Sequence, residues 1–328
     1  VDVSYLGRKG MTMKETAIGI DLGGTSIKYA LIGKEGDFLF RGKLPSRAEV
    51  SAEAVITQLV KAVDEVKAFA LEKDFSVLGV GIGTPGIIDD TNRIVIGGAE
   101  NIAGWENLPL ADRIEKETDL PVVLSNDANV MGLAEAKYGA AEGNTHVVFL
   151  TVGTGIGGAV IIDGKLFNGF ANRGTELGHV PLIADGEPCA CGSVGCLETY
   201  ASTAALVRKF TERIEEAGIV FDTEISGELI VKLHHEGNPY AMDCLDEHCF
   251  YLGRGIAGFI NIFSPQKVII GGGLSEAGEF YIDKVRKEAY KHAMADTRVN
   301  TEILAARLGN NAGCLGAVSL VFEMRNEE

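Results

Sequence analysis

The sequence predicts an α/β protein made of two duplicated α/β domains that face one another across a cleft. Two short hairpin patterns carry most of that expectation. Ala17-Ile-Gly-Ile-Asp21 and residues 26–32 flank the tip Leu22-Gly23-Gly24-Thr25, while residues 146–151 and 158–162 flank Val152-Gly153-Thr154-Gly155-Ile156-Gly157. Each reads as a strand, a glycine turn and a returning strand, and each opens one half of the chain. Repetition of one device over that distance marks a duplicated unit. The third observation is length, since 328 residues suffice for two separate cores.

In chain order, residues 1–16 read as a disordered leader. Residues 17–125, joined by a C-terminal helix over 312–328, form the smaller domain, and residues 126–311 the larger one. Val55, Ile56, Leu59, Val63, Val66 and Phe69 recur at helical spacing, and Ser51 stands where a cap belongs. Residues 77–83 read as a buried strand ending in Thr84-Pro85-Gly86. A polar-faced helix over 108–117 and the strand Pro121-Val-Val-Leu124 follow. That strand runs into Ser125-Asn126-Asp127, and residues 128–138 read as a helix. The later part is mainly helical, over 203–217 and 241–263, broken by the strand Lys267-Val-Ile-Ile270 and its glycine turn Gly271-Gly272-Gly273. His234-His235, ahead of Gly237-Asn-Pro239, read as an exposed loop.

Bulk composition narrows the partners. Thirty Lys and Arg against 46 Asp and Glu give a net charge of −16, with no basic block, which argues against nucleic acid and anionic membranes. A nucleotide is still admissible, because backbone N–H groups, a helix dipole and a metal can hold phosphate without a basic surface. Nothing at the N-terminus has the apolar core of a signal peptide, and no stretch is apolar over the length of a membrane span. The six cysteines therefore point to a reducing cytoplasm.

Taken alone, Asp21-Leu-Gly-Gly-Thr25 serves equally as a plain turn or as an open loop whose amides face phosphate oxygens, with Asp21 near magnesium and Lys28 beside it. The tip around Thr154, Gly155 and Gly157 shares that ambiguity. Three glycine tips, counting the turn at Gly272 and Gly273, make coincidence a poor account, and together they suit a nucleotide triphosphate. Asn126-Asp127 stands at a strand-to-helix junction, where either residue is a good N-cap. Asp127 is also placed to accept a proton from an attacking hydroxyl, and a loose phosphoryl-transfer transition state asks little base strength of it.

The most specific pattern is His179 with Cys189, Cys191 and Cys196. One imidazole and three closely spaced thiols form a tetrahedral zinc set, and four protein ligands close the shell, so the zinc is expected to be structural. Its expected work is to fix the loop presenting Glu176, His179 and Glu198. Cys244, His248 and Cys249 lie on an amphipathic helix whose spacing turns the two thiols apart, so they read as core residues.

These motifs in this order resemble the ROK family of sugar kinases and repressors, and most closely its glucokinase-type members. The resemblance runs from about Ala17 onward through Asp21-Leu-Gly-Gly-Thr25, Gly83-Thr-Pro-Gly86, Glu100-Asn101-Ile-Ala-Gly-Trp105, Asn126-Asp127-Ala-Asn129, Thr151-Val-Gly-Thr-Gly-Ile-Gly157, Glu176-Leu-Gly-His179 and the cysteine cluster through Glu198. It implies a two-domain, actin-like (ribonuclease-H-like) ATPase fold with ATP and Mg2+ in the interdomain cleft. Asp127 would be the catalytic base. Gly86, Asn101, Asn126, Glu176, His179 and Glu198 would line the sugar, with His179 giving one ring nitrogen to zinc and the other to the substrate. Asp21, Gly23, Gly24, Thr25, Lys28, Thr154, Gly155 and Gly157 would serve the phosphates, and Gly272 and Gly273 would border the adenosine. A homodimer or higher homo-oligomer is also implied.

The expected reaction is transfer of phosphate from ATP to the 6-hydroxyl of a hexose, glucose first. N-acetylmannosamine, N-acetylglucosamine or fructose are alternative acceptors within the same family. Polyphosphate as donor is disfavoured by the missing basic track. A sugar-responsive repressor would carry an N-terminal helix-turn-helix, and about sixteen residues ahead of the first strand are too few for one.

Overall fold

The computed structural model describes residues 14–99 and 102–327. The chain divides into two compact units, Val1–Ser125 with Ala317–Glu328, and Asn126–Gly316.

The first unit begins with β1 (Glu15–Leu22), β2 (Ser26–Gly33) and β3 (Phe38–Pro45). Glu15 and Thr16 belong to β1 and not to a disordered leader, because they pair with Ser76 and Val77 of β4 (Ser76–Thr84), while residues 1–13 of that expected leader lie outside the described residues. Between them lies α1 (Ala52–Glu72), whose Val55, Leu59, Val63 and Val66 are fully buried. Ser51 caps α1, its Oγ accepting from the Ala54 N–H at 3.2 Å. Two short strands, β5 (Ile87–Ile88) and β6 (Val95–Gly97), precede α2 (Leu110–Thr118) and β7 (Val122–Asn126). α2 starts two residues later than its pattern suggests, because Pro109 stands at its cap and proline fits only at a helix start.

The second unit runs through α3 (Asp127–Tyr138), β8 (Val147–Val152), β9 (Ile156–Ile162) and β10 (Lys165–Leu166). Then come α4 (Leu197–Ala201), α5 (Thr203–Glu216), α6 (Gly227–His235) and α7 (Pro239–Phe263). β11 (Lys267–Gly271), α8 (Glu279–His292), α9 (Ala295–Arg298) and β12 (Glu302–Ala305) lead to α10 (Ala312–Glu327).

The duplication is visible in the sheets. The first is ordered β3-β2-β1-β4-β7 and the second β10-β9-β8-β11-β12, so each places its hairpin strands in the same sequence of positions. In both, the first strand pairs antiparallel with the second and parallel with the fourth. Each sheet has its own core. Ile18, Ile20, Leu59, Val80 and Trp105 belong to one, and Val148, Leu150, Phe210, Phe259 and Tyr281 to the other. A Cβ at Gly81 would lie 1.9 Å from the Ala317 carbonyl oxygen, so α10 meets β4 backbone to backbone in the first unit.

One local expectation is corrected. His234 and His235 form the last turn of α6 instead of a loop. Ser226 caps that helix, Ile230 is buried beneath it, and Gly237 at φ +80° closes it. His234 stacks on Phe280 with ring centroids 5.2 Å apart. Cys244, His248 and Cys249 are buried on α7, as core residues should be.

Candidate active site

In the first unit, the β1–β2 tip is tight and exposed. The Gly23 N–H donates to the Ser26 carbonyl at 3.0 Å, closing the turn. Gly24 has no atom within 4 Å of where a Cβ would stand, so a ligand can approach its backbone. Ser46 braces the tip from beside it, its Oγ donating to the Gly24 carbonyl at 2.8 Å and its N–H to that of Thr25 at 3.1 Å. Asp21 and Lys28 are register partners across the hairpin, with Nζ 3.7 Å from Oδ2. Burial raises the Asp21 carboxyl above its ordinary value, and Lys28 draws it partway back. One buried carboxylate beside an exposed turn fits magnesium, which binds through one or two carboxylates and completes its shell with phosphates and water.

Gly86, at φ +103°, makes the turn from β4 to β5. A Cβ there would stand 2.6 Å from the Gly97 carbonyl oxygen, so the turn requires glycine on two counts. Trp105 is buried nearby and donates its indole N–H to Thr84 Oγ1 at 3.3 Å. Asn101, and Glu100 before it, lie outside the described residues.

In the second unit, Asn126 caps α3. Its Oδ1 accepts from the N–H groups of Ala128 at 2.9 Å and Asn129 at 3.4 Å. Asp127 occupies the first turn of that helix, half-buried, where backbone N–H groups favour a negative charge. The helix start rests on the second glycine tip, since a Cβ on Gly157 would lie 2.8 Å from the Ala128 Cβ.

That tip gathers three further pieces. The Gly153 N–H donates to the Gly155 carbonyl at 2.9 Å, and the Thr203 N–H at the start of α5 donates to the Gly153 carbonyl at 2.8 Å. Gly178, between Glu176 and His179, packs so close that a Cβ would stand 2.0 Å from the Ile156 carbonyl oxygen. Glu198, on α4, accepts from the Ile156 N–H at 2.7 Å through Oε2. Gly155, Ile156 and Gly157 thus bring together the Asp127 helix, the Glu176–His179 turn and Glu198. The two residues of that turn differ in burial: Glu176 is exposed and His179 half-buried.

The ligand atoms of His179, Cys189, Cys191 and Cys196 all lie within 4.8 Å of one another. Cys191 and Cys196 sulfurs are 3.7 Å apart, and Cys189 sulfur is 3.6 Å from His179 Nδ1. A tetrahedral zinc with bonds of about 2.3 Å to sulfur and about 2.05 Å to nitrogen puts two sulfurs about 3.8 Å apart and sulfur and nitrogen about 3.6 Å apart. The cluster therefore fits zinc, with Nδ1 as the nitrogen facing it. All three thiols are free, and their separation far exceeds the disulfide length of about 2.05 Å. Burial pushes the Cys189 thiol up, but hydrogen bonds from Cys191, Thr199 and His179 outweigh it and bring the thiol down to about 7. Burial and the two neighbouring thiols push Cys196 up to about 12. Crowded thiols resist ionising together, and a dication removes that conflict. Local backbone bonds hold the knuckle: the Cys189 N–H donates to the Ser193 carbonyl at 2.8 Å, and the Leu197 N–H to that of Val180 at 3.0 Å.

The third glycine turn follows β11. Gly272, at φ +94°, lies so near β8 that a Cβ would meet the Val152 carbonyl oxygen at 2.1 Å. Gly273 and Glu276 line two cavities, of about 290 Å³ and about 720 Å³. Two features here escaped the sequence reading. Thr175, immediately before Glu176, sits at φ +65°, a strained place for a β-branched residue. Glu135, on α3, is a fully buried carboxylate. Only its place among apolar helix residues marks it in the sequence.

Comparison with known proteins places this geometry. The ROK family pattern matches residues 17–324. The glucokinase of Halalkalibacterium halodurans is 33% identical over 318 residues, covering 94% of this chain and 96% of that protein. The structure of a ROK family glucokinase from Streptomyces griseus, in complex with glucose and AMPPNP, matches with a TM-score of 0.80 at 35% identity, covering 94% of this chain and 99% of that one. A xylose repressor of Caldicellulosiruptor bescii is 31% identical, covering 93% of this chain and 77% of the repressor.

Proposed function

The chain belongs to the ROK family, and we propose that it is an ATP-dependent hexose kinase that phosphorylates the 6-hydroxyl of glucose. The observation that carries this reading is the convergence at Gly155, Ile156 and Gly157 of the Asp127 helix, the Glu176–His179 turn and Glu198. A phosphate-compatible turn, a proton acceptor and hydroxyl-binding groups meet there within one unit. The similarity to a glucokinase holding glucose and AMPPNP supports glucose as acceptor and ATP as donor.

Asp127 accepts the proton of the attacking hydroxyl and orients its oxygen toward the γ-phosphoryl group. Little base strength is needed, because bond formation lags in a loose transition state, so position matters most. Asn101, Asn126, Glu176, His179 and Glu198 hold the remaining hydroxyls, with Gly86 bordering the sugar. Carboxylates, two amides and an imidazole match hydroxyls that both donate and accept. His179 would give Nδ1 to zinc and Nε2 to the substrate, so a bound metal would set the ring's orientation. Cys189, Cys191, Cys196 and His179 would fill the shell of a zinc ion, which would then serve structure.

Gly23, Gly24 and Thr25 present backbone N–H groups to phosphate oxygens, as do Thr154, Gly155 and Gly157, and Gly272 and Gly273 border the adenosine. Asp21 and Lys28 stand beside the first of these turns. Asp21 is the carboxylate to hold magnesium, which when bound neutralises charge on the phosphates. The free thiols suit a reducing cytoplasm, and a homodimer or higher homo-oligomer completes the reading. Incubation with glucose and ATP, with the product resolved by phosphorus–proton NMR coupling, tests the reaction. Glucose 6-phosphate is expected; a phosphate at another position, or none, would refute it.

A further inference from the structure

We propose that Glu135 is a positioning residue for the nucleotide, acting through the wall of the smaller cavity at the third glycine turn. This inference rests on the kinase reading above. The side chain is fully buried, yet no lysine, arginine or histidine pairs with its carboxylate among the hydrogen bonds and ion pairs of the described residues. It accepts three backbone N–H groups instead. Oε2 takes Ala140 at 2.7 Å, and Oε1 takes Arg307 at 2.9 Å and Leu308 at 2.8 Å. Backbone donors can satisfy a buried carboxylate, and each such charge-assisted bond is stronger than a neutral one.

The two segments held differ in what they do. Residues 139–141 form the turn that ends α3, and Gly139 has no side chain because a Cβ would stand 2.0 Å from Glu135 Oε2. Residues 307 and 308 lead into Gly309 and Asn310, which line the cavity of about 290 Å³ together with Gly271–Gly273. The preceding residue is fixed separately, since the Ala306 N–H donates to the Ile270 carbonyl at 2.8 Å. Leu308 is partly buried and Arg307 is exposed, its guanidinium donating to the Tyr138 carbonyl at 2.9 Å and to Glu142 at 3.2 Å, so the side chain of Arg307 is tied to the end of α3 while its backbone is tied to Glu135. Glu135 Oε1 is therefore the backbone anchor that sets how far the wall at Gly309 and Asn310 stands from the glycine turn. The same helix carries Asp127 at its start. One rigid element thus locates both the proton acceptor and the wall of a cavity that fits part of a nucleotide.

The two oxygens make the idea separable. In Glu135→Gln the amide oxygen still accepts from Arg307 and Leu308, while the NH2 group faces the Ala140 N–H and loses that bond. In Glu135→Ala every acceptor is lost, and in Glu135→Asp the carboxylate is too short to reach both segments. Calorimetric titration of the full chain with AMPPNP and, separately, with glucose reads the outcome. We expect the Kd for AMPPNP to rise at least tenfold in Glu135→Ala and Glu135→Asp, while the Kd for glucose stays within twofold. Glu135→Gln should restore AMPPNP binding to within about threefold of wild type. If Glu135→Ala does not fold, the Asp and Gln pair carries the test. Equal weakening for both ligands, unchanged AMPPNP binding in Glu135→Asp, or no recovery in Glu135→Gln would overturn the assignment while wild-type binding leaves the kinase reading standing. Wild-type protein that binds no AMPPNP would overturn both.

Discussion

Oε2 of Glu198 accepts a hydrogen bond from the Ile156 N–H at 2.7 Å, and it does so across the bare α-carbon of Gly155. The bond joins the segment that carries the His179 and cysteine cluster to the glycine tip of the second hairpin. A Cβ on Gly155 would lie 2.3 Å from that same oxygen. The bare α-carbon of Gly155 is thus what admits this side chain.

Gly155→Ala should therefore fold and keep its stability, because the atom in the way is the far end of a flexible side chain. Glu198 must swing off Ile156 to make room, so kcat/KM should fall by about 10- to 100-fold, which corresponds to about 1.4–2.7 kcal/mol of lost transition-state stabilisation. Steady-state kinetics beside a thermal melt checks this. Unchanged kinetics would show that the Glu198–Ile156 bond is incidental.

Zinc should copurify at about one atom per chain, measured by elemental analysis. Cys191→Ser should lose the metal and lower the melting temperature by about 5–10 °C, since a ligand bound only by the folded state stabilises it. Active protein free of zinc would remove the metal from the account.

Thr175 at φ +65° carries strain that glycine would not. A left-handed β-branched residue costs about 1–3 kcal/mol, and glycine gives back part of that gain by loosening the unfolded chain. Thr175→Gly should stabilise the fold by about 1 kcal/mol in denaturant titration. Because the strained residue directly precedes Glu176, the KM for sugar should rise in the same variant as Glu176 gains freedom.

Burial holds the His248 imidazole down to about 4 from an ordinary 6.5. Its Nε2 is 2.8 Å from the Tyr281 hydroxyl. Below pH 6.5 the unfolded chain takes up a proton that the folded chain refuses, so stability is whole above that pH and declines as pH falls toward 4. The loss should reach at most about 3 kcal/mol. His248→Gln keeps a polar partner for Tyr281 and cannot titrate, so its stability should fall less steeply between pH 6.5 and 4 than that of wild type. Parallel curves would place the acid sensitivity elsewhere.

The patterns legible in sequence were those set by local chemistry. Hairpin tips, the Ser51 cap and the clustering of His179 with the three cysteines depend on neighbours within one short stretch of chain, and each appears where its motif stands. The α6 turn at His234 and His235 was missed because a short helix with one fully buried apolar side chain, Ile230, gives little periodicity. Glu198 on Ile156 and Glu135 on Arg307 and Leu308 were illegible for another reason. Their partners are backbone amides 42, 172 and 173 residues away, and a backbone donor leaves no residue type to recognise.

In the proposed reaction the chain transfers phosphate from ATP to glucose with Asp127 as the proton acceptor. ADP release by wild type and by Asp127→Ala, with and without glucose, tests it most directly. Glucose-stimulated release is expected in wild type, with a fall of at least about 100-fold in a variant that still folds. No stimulation by glucose would contradict the kinase assignment, and near-normal turnover in Asp127→Ala would contradict the role given to that carboxylate.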